Sequence, residues 1–252
     1  MTMNATRDYT PDEMMTVAAS RRLRNGAVCF VGIGLPSAAC NLARLTHAPD
    51  LVLIYESGTV GTRPTVLPLS IGDGELAETA RSVIPLPEIF THYLQRGRVD
   101  VGFLGAAQID CMGNLNTTVI GAYEQPTVRL PGAGGAPEIA LHAREVLVIM
   151  KQSPKAFVNR LDFCSTAGRL SALITDLGVL EPDAESRELV LCATYPGVHV
   201  DDVRAACGWP LRVADTLITI EPPTALELQT LRALHDRTRT AHTRPVRITL
   251  PQ

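Results

Sequence analysis

The chain has 252 residues, 46% of them hydrophobic and 19% charged, and Lys+Arg 23 against Asp+Glu 26 leaves a formal net charge of −3. This is a globular composition and not a disordered one. There is no basic excess to hold a phosphate backbone, and at 4% aromatic residues there is no base-stacking platform, so nucleic-acid binding is excluded.

Thr10-Pro11-Asp12-Glu13 is a capping box with proline at the first helical position. Met14, Val17, Ala18 and Leu23 mark the apolar face of the predicted helix, and Gly26 closes it. Residues 27–31 are a short apolar run, read as a buried strand. Gly32-Ile33-Gly34-Leu35-Pro36 then turns the chain into a helix over 37–45. Further buried strands are expected at 51–54, 101–104, 146–150, 172–175 and 189–193. A short helix is expected at 201–207, and a second capping box, Thr224 to Glu227, opens a helix through about His235. Strands alternating with helices predict an α/β fold: an open, mostly parallel sheet with helices on both faces. No internal repeat or linker divides it, so one domain is expected over residues 1–252, with a polar tail after about Arg237.

The longest uncharged stretch, between Arg24 and Arg44, is interrupted by Gly26, Gly32, Gly34 and Pro36 and does not read as a membrane span. Residues 1–10 are polar, so no secretory signal is expected. Cys29, Cys40, Cys111, Cys164, Cys192 and Cys207 are scattered, without C-x-x-C or Cys/His metal spacing. They read as reduced, mostly buried thiols of a cytoplasmic protein, and no metal site is expected.

Four stretches carry possible chemistry. Gly32 to Ser37 follows a strand and opens a helix, like a dinucleotide fingerprint, but Ser37 stands where the third glycine belongs. A tight turn is the plainer reading, and Gly34 could still let a ligand approach the backbone. Tyr55-Glu56-Ser57-Gly58-Thr59-Val60-Gly61 places Glu56 just past the carboxyl end of a buried strand, where open α/β sheets bind ligands. A solvated loop glutamate is the commoner fate of such a residue. Gly132-Ala133-Gly134-Gly135-Ala136-Pro137 is a shaped glycine loop whose N–H groups could form an oxyanion hole. In the run from Gly105 to Thr118, Gln108 reads as a substrate amide contact or a satisfied core group, and Asn114 and Asn116 as turn residues or contacts. The six histidines are scattered and suggest no triad.

Together these stretches resemble the β subunit of a family I CoA-transferase. The family's Glu-x-Gly-x-x-Gly motif is present as Glu56, Gly58 and Gly61, and its Gly-x-Gly-Gly loop as Gly132, Gly134 and Gly135. The run from Gly105 through Gly113-Asn114-Leu115-Asn116 and the pair Tyr195-Pro196-Gly197-Val198 and Gly208-Trp209 are similar too, in order along nearly the whole chain. Residues 13–19 and 66–78 are most like members that act on 3-oxoadipate, and glutaconate-type members compete. One departure is the short segment 164–170, where such β subunits carry a longer glycine- and charge-rich stretch.

The resemblance implies CoA transfer between carboxylic acids, most simply from succinyl-CoA to 3-oxoadipate. Glu56 would be the nucleophile, Gly132, Gly134 and Gly135 the oxyanion loop, and Gly34, Gly58, Gln108 and Asn116 substrate contacts. It implies no cofactor beyond the CoA thioester itself. It also implies a separate α subunit facing this one across the active site, in an α2β2 or similar hetero-oligomer. A CoA-thioester hydrolase of the same superfamily is the alternative, although such members tend to lack the motif glutamate. A non-catalytic ligand-sensing module is a third, lacking a visible effector segment.

Overall fold

A computed structural model describes residues 8–243. In chain order the first half holds α1 (Pro11–Ser20), β1 (Val28–Phe30), α2 (Leu35–Leu45), β2 (Val52–Ile54), β3 (Thr59–Thr62), α3 (Gly74–Glu78), β4 (Ser82–Val83) and α4 (Leu86–Glu88). A π-helical turn, Ile89–Leu94, leads to β5 (Val101–Leu104), β6 (Gln108–Ile109), β7 (Leu115–Asn116), β8 (Val119–Gly121) and β9 (Pro126–Arg129). The remainder comprises α5 (Ala136–His142), β10 (Glu145–Ile149), β11 (Ala172–Ile174), β12 (Gly178–Pro182), β13 (Leu189–Thr194), α6 (Val200–Ala205), β14 (Arg212–Thr219) and α7 (Ala225–Thr243).

Ten strands form one sheet in the order β14-β13-β12-β11-β10-β5-β1-β2-β3-β4. Its five contiguous central strands, β11-β10-β5-β1-β2, are parallel, as expected. Both flanks turn antiparallel, through β12 and β13 on one side and β3 and β4 on the other. Of the flanking strands, β13 is the apolar run expected at 189–193, while others escape the hydrophobic-run signal: β3 contains Gly61, β12 contains Glu181 and Pro182, and β14 is a largely exposed edge.

Side chains alternate between two cores, one per face. Cys29, Val31, Leu53, Tyr55, Leu147 and Ile149 pack beneath α1 and α2. Phe30, Ile54, Val146 and Val148 face the opposite way, among Ile89, Ile139 and Trp209. Burying each large apolar side chain contributes roughly 1.5–3 kcal/mol, so this alternation fixes the register. Tyr195 and Trp209 of the late motif are core residues, and Trp209 stacks on Phe157 with ring centroids 5.6 Å apart.

Both capping boxes form. Thr10 Oγ1 accepts from Glu13 N, and Thr224 Oγ1 accepts from Glu227 N at 3.2 Å. The guanidinium of Arg21 donates to both oxygens of Glu227, at 2.8 and 2.7 Å, locking the end of α1 to the start of α7. The chain stops being helical at Ser20, earlier than Gly26, because Arg21 serves as the C-cap. At the other end α7 runs to Thr243, correcting the tail expected after Arg237. The polar residues before Asp8, and those after Thr243, lie outside the described residues.

Two cysteines are buried, Cys29 and Cys40, with sulfurs 3.5 Å apart, so fewer are inaccessible than expected. All six are unbridged, and Cys164 is exposed. Among the described residues no helix is long and apolar enough to cross a membrane.

Candidate active site

The chain leaves β1 toward β2 on one side and reaches β5 on the other, so the carboxyl ends of β1 and β5 flank a topological switch point. A cavity of about 510 Å³ opens there. Its wall takes Gly32 from beyond β1, Gly105 from beyond β5, Glu56 from beyond β2, and Gly134 and Gly135 from the glycine loop. Glu56 is the one charged side chain lining it among the described residues.

Glu56 sits in a hairpin loop between β2 and β3. Gly58 N donates to Tyr55 O at 3.0 Å and Tyr55 N to Thr59 O at 3.1 Å. Short hairpin loops of this kind close with a residue at positive φ, here Gly58 at φ 106°. A second constraint holds at the same residue. A Cβ on Gly58 would stand 2.0 Å from the carbonyl oxygen of Ile84, a residue whose N–H donates to Gly58 O. Gly58→Ala is therefore expected to cost about 2 kcal/mol or more, since both the dihedral and the contact are violated. Urea denaturation showing a loss under about 0.5 kcal/mol would contradict this account of the turn.

Strand alternation sends Tyr55 into the α2-side core and Glu56 to the other face, toward the glycine loop. A methyl group added at Gly135 would lie 3.3 Å from Glu56 Oε1 and 2.9 Å from the Phe90 ring. The carboxylate and the loop are thus in near contact, with Phe90 wedged beside them. Gly135 has ordinary dihedrals for an L-residue, φ −82° and ψ 0°, so close approach and not conformation is what glycine provides here.

The three loop glycines are not equivalent. Gly132 N donates to Thr117 O at 2.9 Å, so its N–H pins the loop and is unavailable to a ligand. The N–H groups of Gly134 and Gly135 donate to no group among the described residues. Gly34 caps α2 at φ 84° and Gly58 shapes the hairpin; neither lines the cavity, although Ile33 and Leu35 beside Gly34 do.

Gln108 and Asn116 lie elsewhere, in a buried polar network. Gln108 Oε1 accepts from Asn116 Nδ2 at 2.8 Å and from Asp162 N at 3.1 Å, while its Nε2 donates to Asp162 Oδ2 at 3.0 Å. Asn116 also donates to Val119 O and accepts from Thr118 N and Val119 N. Gln108 is thus a buried side chain whose amide bonds internally on both its oxygen and its nitrogen. Together they hold β6 and β7 against the segment around Asp162, beneath the cavity wall at Thr117.

Phe90, Ile71 and Thr117 escape sequence reasoning, because they reach the site from a π-helical turn, a strap and a strand end with no periodic signature. Among the described residues no group of three His, Cys, Asp or Glu side chains is arranged to hold a metal ion.

The family model described as Coenzyme A transferase matches residues 12–206. The chain is 57% identical over 250 residues to one of the subunits of the 3-oxoadipate CoA-transferase of Pseudomonas knackmussii, covering 93% of this chain and 96% of that protein. It is 29% identical over 246 residues to the corresponding subunit of the glutaconate CoA-transferase of Acidaminococcus fermentans, with 89% and 92% covered. The crystal structure of that glutaconate coenzyme A-transferase superposes with a TM-score of 0.85 at 29% identity, covering 94% of this chain and 99% of that one. The decarboxylase AibA/AibB superposes with a TM-score of 0.82 at 29% identity, covering 93% and 98%. The same frame therefore carries more than one reaction, and the site must decide between them.

Proposed function

The chain belongs to the coenzyme A transferase family, and from that premise we propose that it transfers CoA from succinyl-CoA to 3-oxoadipate or a closely related dicarboxylate, as the β subunit of a two-subunit enzyme. The observation that carries this reading is the closeness of the Glu56 carboxylate to the loop at Gly135, where even a Cβ would come within 3.3 Å of it, inside an otherwise uncharged cavity. The identity with the 3-oxoadipate CoA-transferase of P. knackmussii supports the choice of acids.

Glu56 attacks the succinyl thioester carbonyl, forming a mixed anhydride and releasing CoA thiolate. The thiolate then attacks the Glu56 carbonyl carbon, giving a glutamyl-CoA thioester and free succinate. The acceptor carboxylate attacks that thioester, making a second anhydride and again releasing thiolate. Thiolate attack on the acceptor's carbonyl yields the new CoA thioester and restores the Glu56 carboxylate. Each step builds negative charge on a carbonyl oxygen, which the Gly134 and Gly135 N–H groups stabilise; one such donor is worth about 10²–10³ in rate. The scheme uses no metal or redox cofactor.

The apolar wall suits a reaction whose anhydride and thioester intermediates must be kept from water. It also leaves the distal carboxylate of a dicarboxylic acid without a cationic partner among the described residues of the cavity. That counter-charge falls to the α subunit, which closes the cavity from the other side. Co-expression with an α subunit should give a stable complex converting succinyl-CoA and 3-oxoadipate to 3-oxoadipyl-CoA and succinate. The chain purified alone should be inactive. Robust transfer by the isolated chain would refute the two-subunit site, and a complex that only hydrolyses succinyl-CoA would refute transfer.

A further inference from the structure

We infer that Tyr55 and Ser37 form a positioning relay that sets the Glu56 carboxylate against the cavity wall, coupling the hairpin that carries the nucleophile to the turn at Gly32. This rests on the proposed role of Glu56 and extends it to two residues on the far side of the sheet.

Ser37 lies in the first turn of α2 and is 0% exposed. Its hydroxyl donates to Gly32 O at 2.9 Å, and Gly32 lines the cavity. The Tyr55 hydroxyl lies 3.0 Å from Ser37 Oγ. A serine hydroxyl has a single proton, and Ser37 gives it to Gly32, so the Tyr55 phenol is the donor to Ser37. Burial holds the phenol well above its ordinary pKa, which keeps it protonated in that role. The result is one directed chain, Tyr55 O–H to Ser37 O–H to Gly32 C=O.

Tyr55 is the residue immediately before Glu56, and its own N–H and C=O are both tied into the hairpin loop. Its ring is 0% exposed within the α2-side core. Fixing the ring through the relay therefore fixes the strand end from which Glu56 departs. Gly32, at the other end, belongs to the same cavity wall, beyond the neighbouring strand β1. Two parts of the site carried on neighbouring parallel strands, β1 and β2, are thereby joined by side-chain hydrogen bonds in addition to the sheet ladder. A ring packed in a hydrophobic core needs no hydroxyl for packing, and phenylalanine would fill the same volume. The polar chain is what a positioning function requires and a packing function does not.

The test uses the α/β complex and four variants: Tyr55→Phe, Ser37→Ala, the double variant and Glu56→Ala. The relay predicts that Tyr55→Phe and Ser37→Ala each lower kcat about tenfold with KM for succinyl-CoA within about twofold, because misplacement affects the reacting geometry and not uniform binding. The double variant should match the worse single variant, since either change breaks the same chain. Melting midpoints measured alongside report any general loosening, and Tyr55→Phe alone decides the matter if Ser37→Ala fails to fold. An unchanged kcat in Tyr55→Phe, or independent multiplicative losses in the double variant, would overturn the relay while leaving Glu56 in place. An active Glu56→Ala complex would overturn the nucleophile assignment and the relay together.

Discussion

Glu56→Ala is expected to abolish CoA transfer, by at least about 10⁴-fold in kcat, with the folded state essentially unchanged. The size follows from removing the proposed covalent nucleophile, for which the cavity wall offers no other charged side chain among the described residues. The stability claim follows from its surroundings. The Glu56 side chain makes no hydrogen bond or ion pair among the described residues, and it stands in a loop closed by backbone bonds and by Gly58. Substitutions at such sites stay within about 0.5 kcal/mol. Glu56→Asp sharpens the test. It keeps the charge but withdraws the carboxylate by one methylene from the glycine loop at Gly135, so a loss of roughly 10²-fold is expected from misplacement alone. Steady-state assays on the α/β complex, with urea unfolding as the companion measurement, separate the two effects. Turnover of the alanine variant within about tenfold of the parent would remove Glu56 from the mechanism.

The central half of the fold is legible because it is local. Five apolar runs each stand for one buried parallel strand, and two capping boxes mark helix starts that the structure reproduces. The flanks are less legible: β13 is the run expected at 189–193, but a strand such as Thr59–Thr62 contains a glycine and owes its place to pairing with β2 and β4. The site divides in the same way. Glu56 and the loop glycines could be found from the end of an apolar run and from glycine spacing. The reason for each glycine could not. Gly58 answers to Ile84 O and Gly135 to Phe90, contacts that join residues 26 and 45 positions apart and leave no periodic trace. Gln108 and Asn116 are harder to read. Their amides suggest a ligand, and nothing in the sequence signals that the Gln108 amide is tied internally to Asn116 and to Asp162, 54 residues away. The Tyr55–Ser37 relay belongs to this second class, since two hydroxyls 18 residues apart become partners only once β2 lies beside β1 and α2 covers them both.

Incubating the α/β complex with succinyl-CoA and no acceptor is expected to release one equivalent of succinate per active site and to leave CoA attached to this chain. A carboxylate nucleophile must be acylated, and the first acid must depart, before the second acid can react, so the kinetics are ping-pong. Intact mass should rise by one CoA, and peptide mapping should place it on the segment containing Glu56, between Tyr55 and Gly61. Borohydride should reduce the glutamyl thioester to the alcohol and inactivate the enzyme, whereas free Glu56 is inert to it. The geometry also predicts how long the adduct lasts. Glu56 is the one charged side chain on a largely apolar cavity wall that Gly134 and Gly135 also line, so among the described residues this chain offers water little polar foothold beside the expected adduct. The adduct should therefore survive for many turnover times without acceptor and collapse within one turnover when 3-oxoadipate is added. Intersecting initial-rate lines with no adduct under acid quench would mean that both acids are bound together and that Glu56 acts without being acylated. Steady loss of succinyl-CoA to free CoA in the absence of acceptor would mean that water, not a carboxylate, is the natural second substrate.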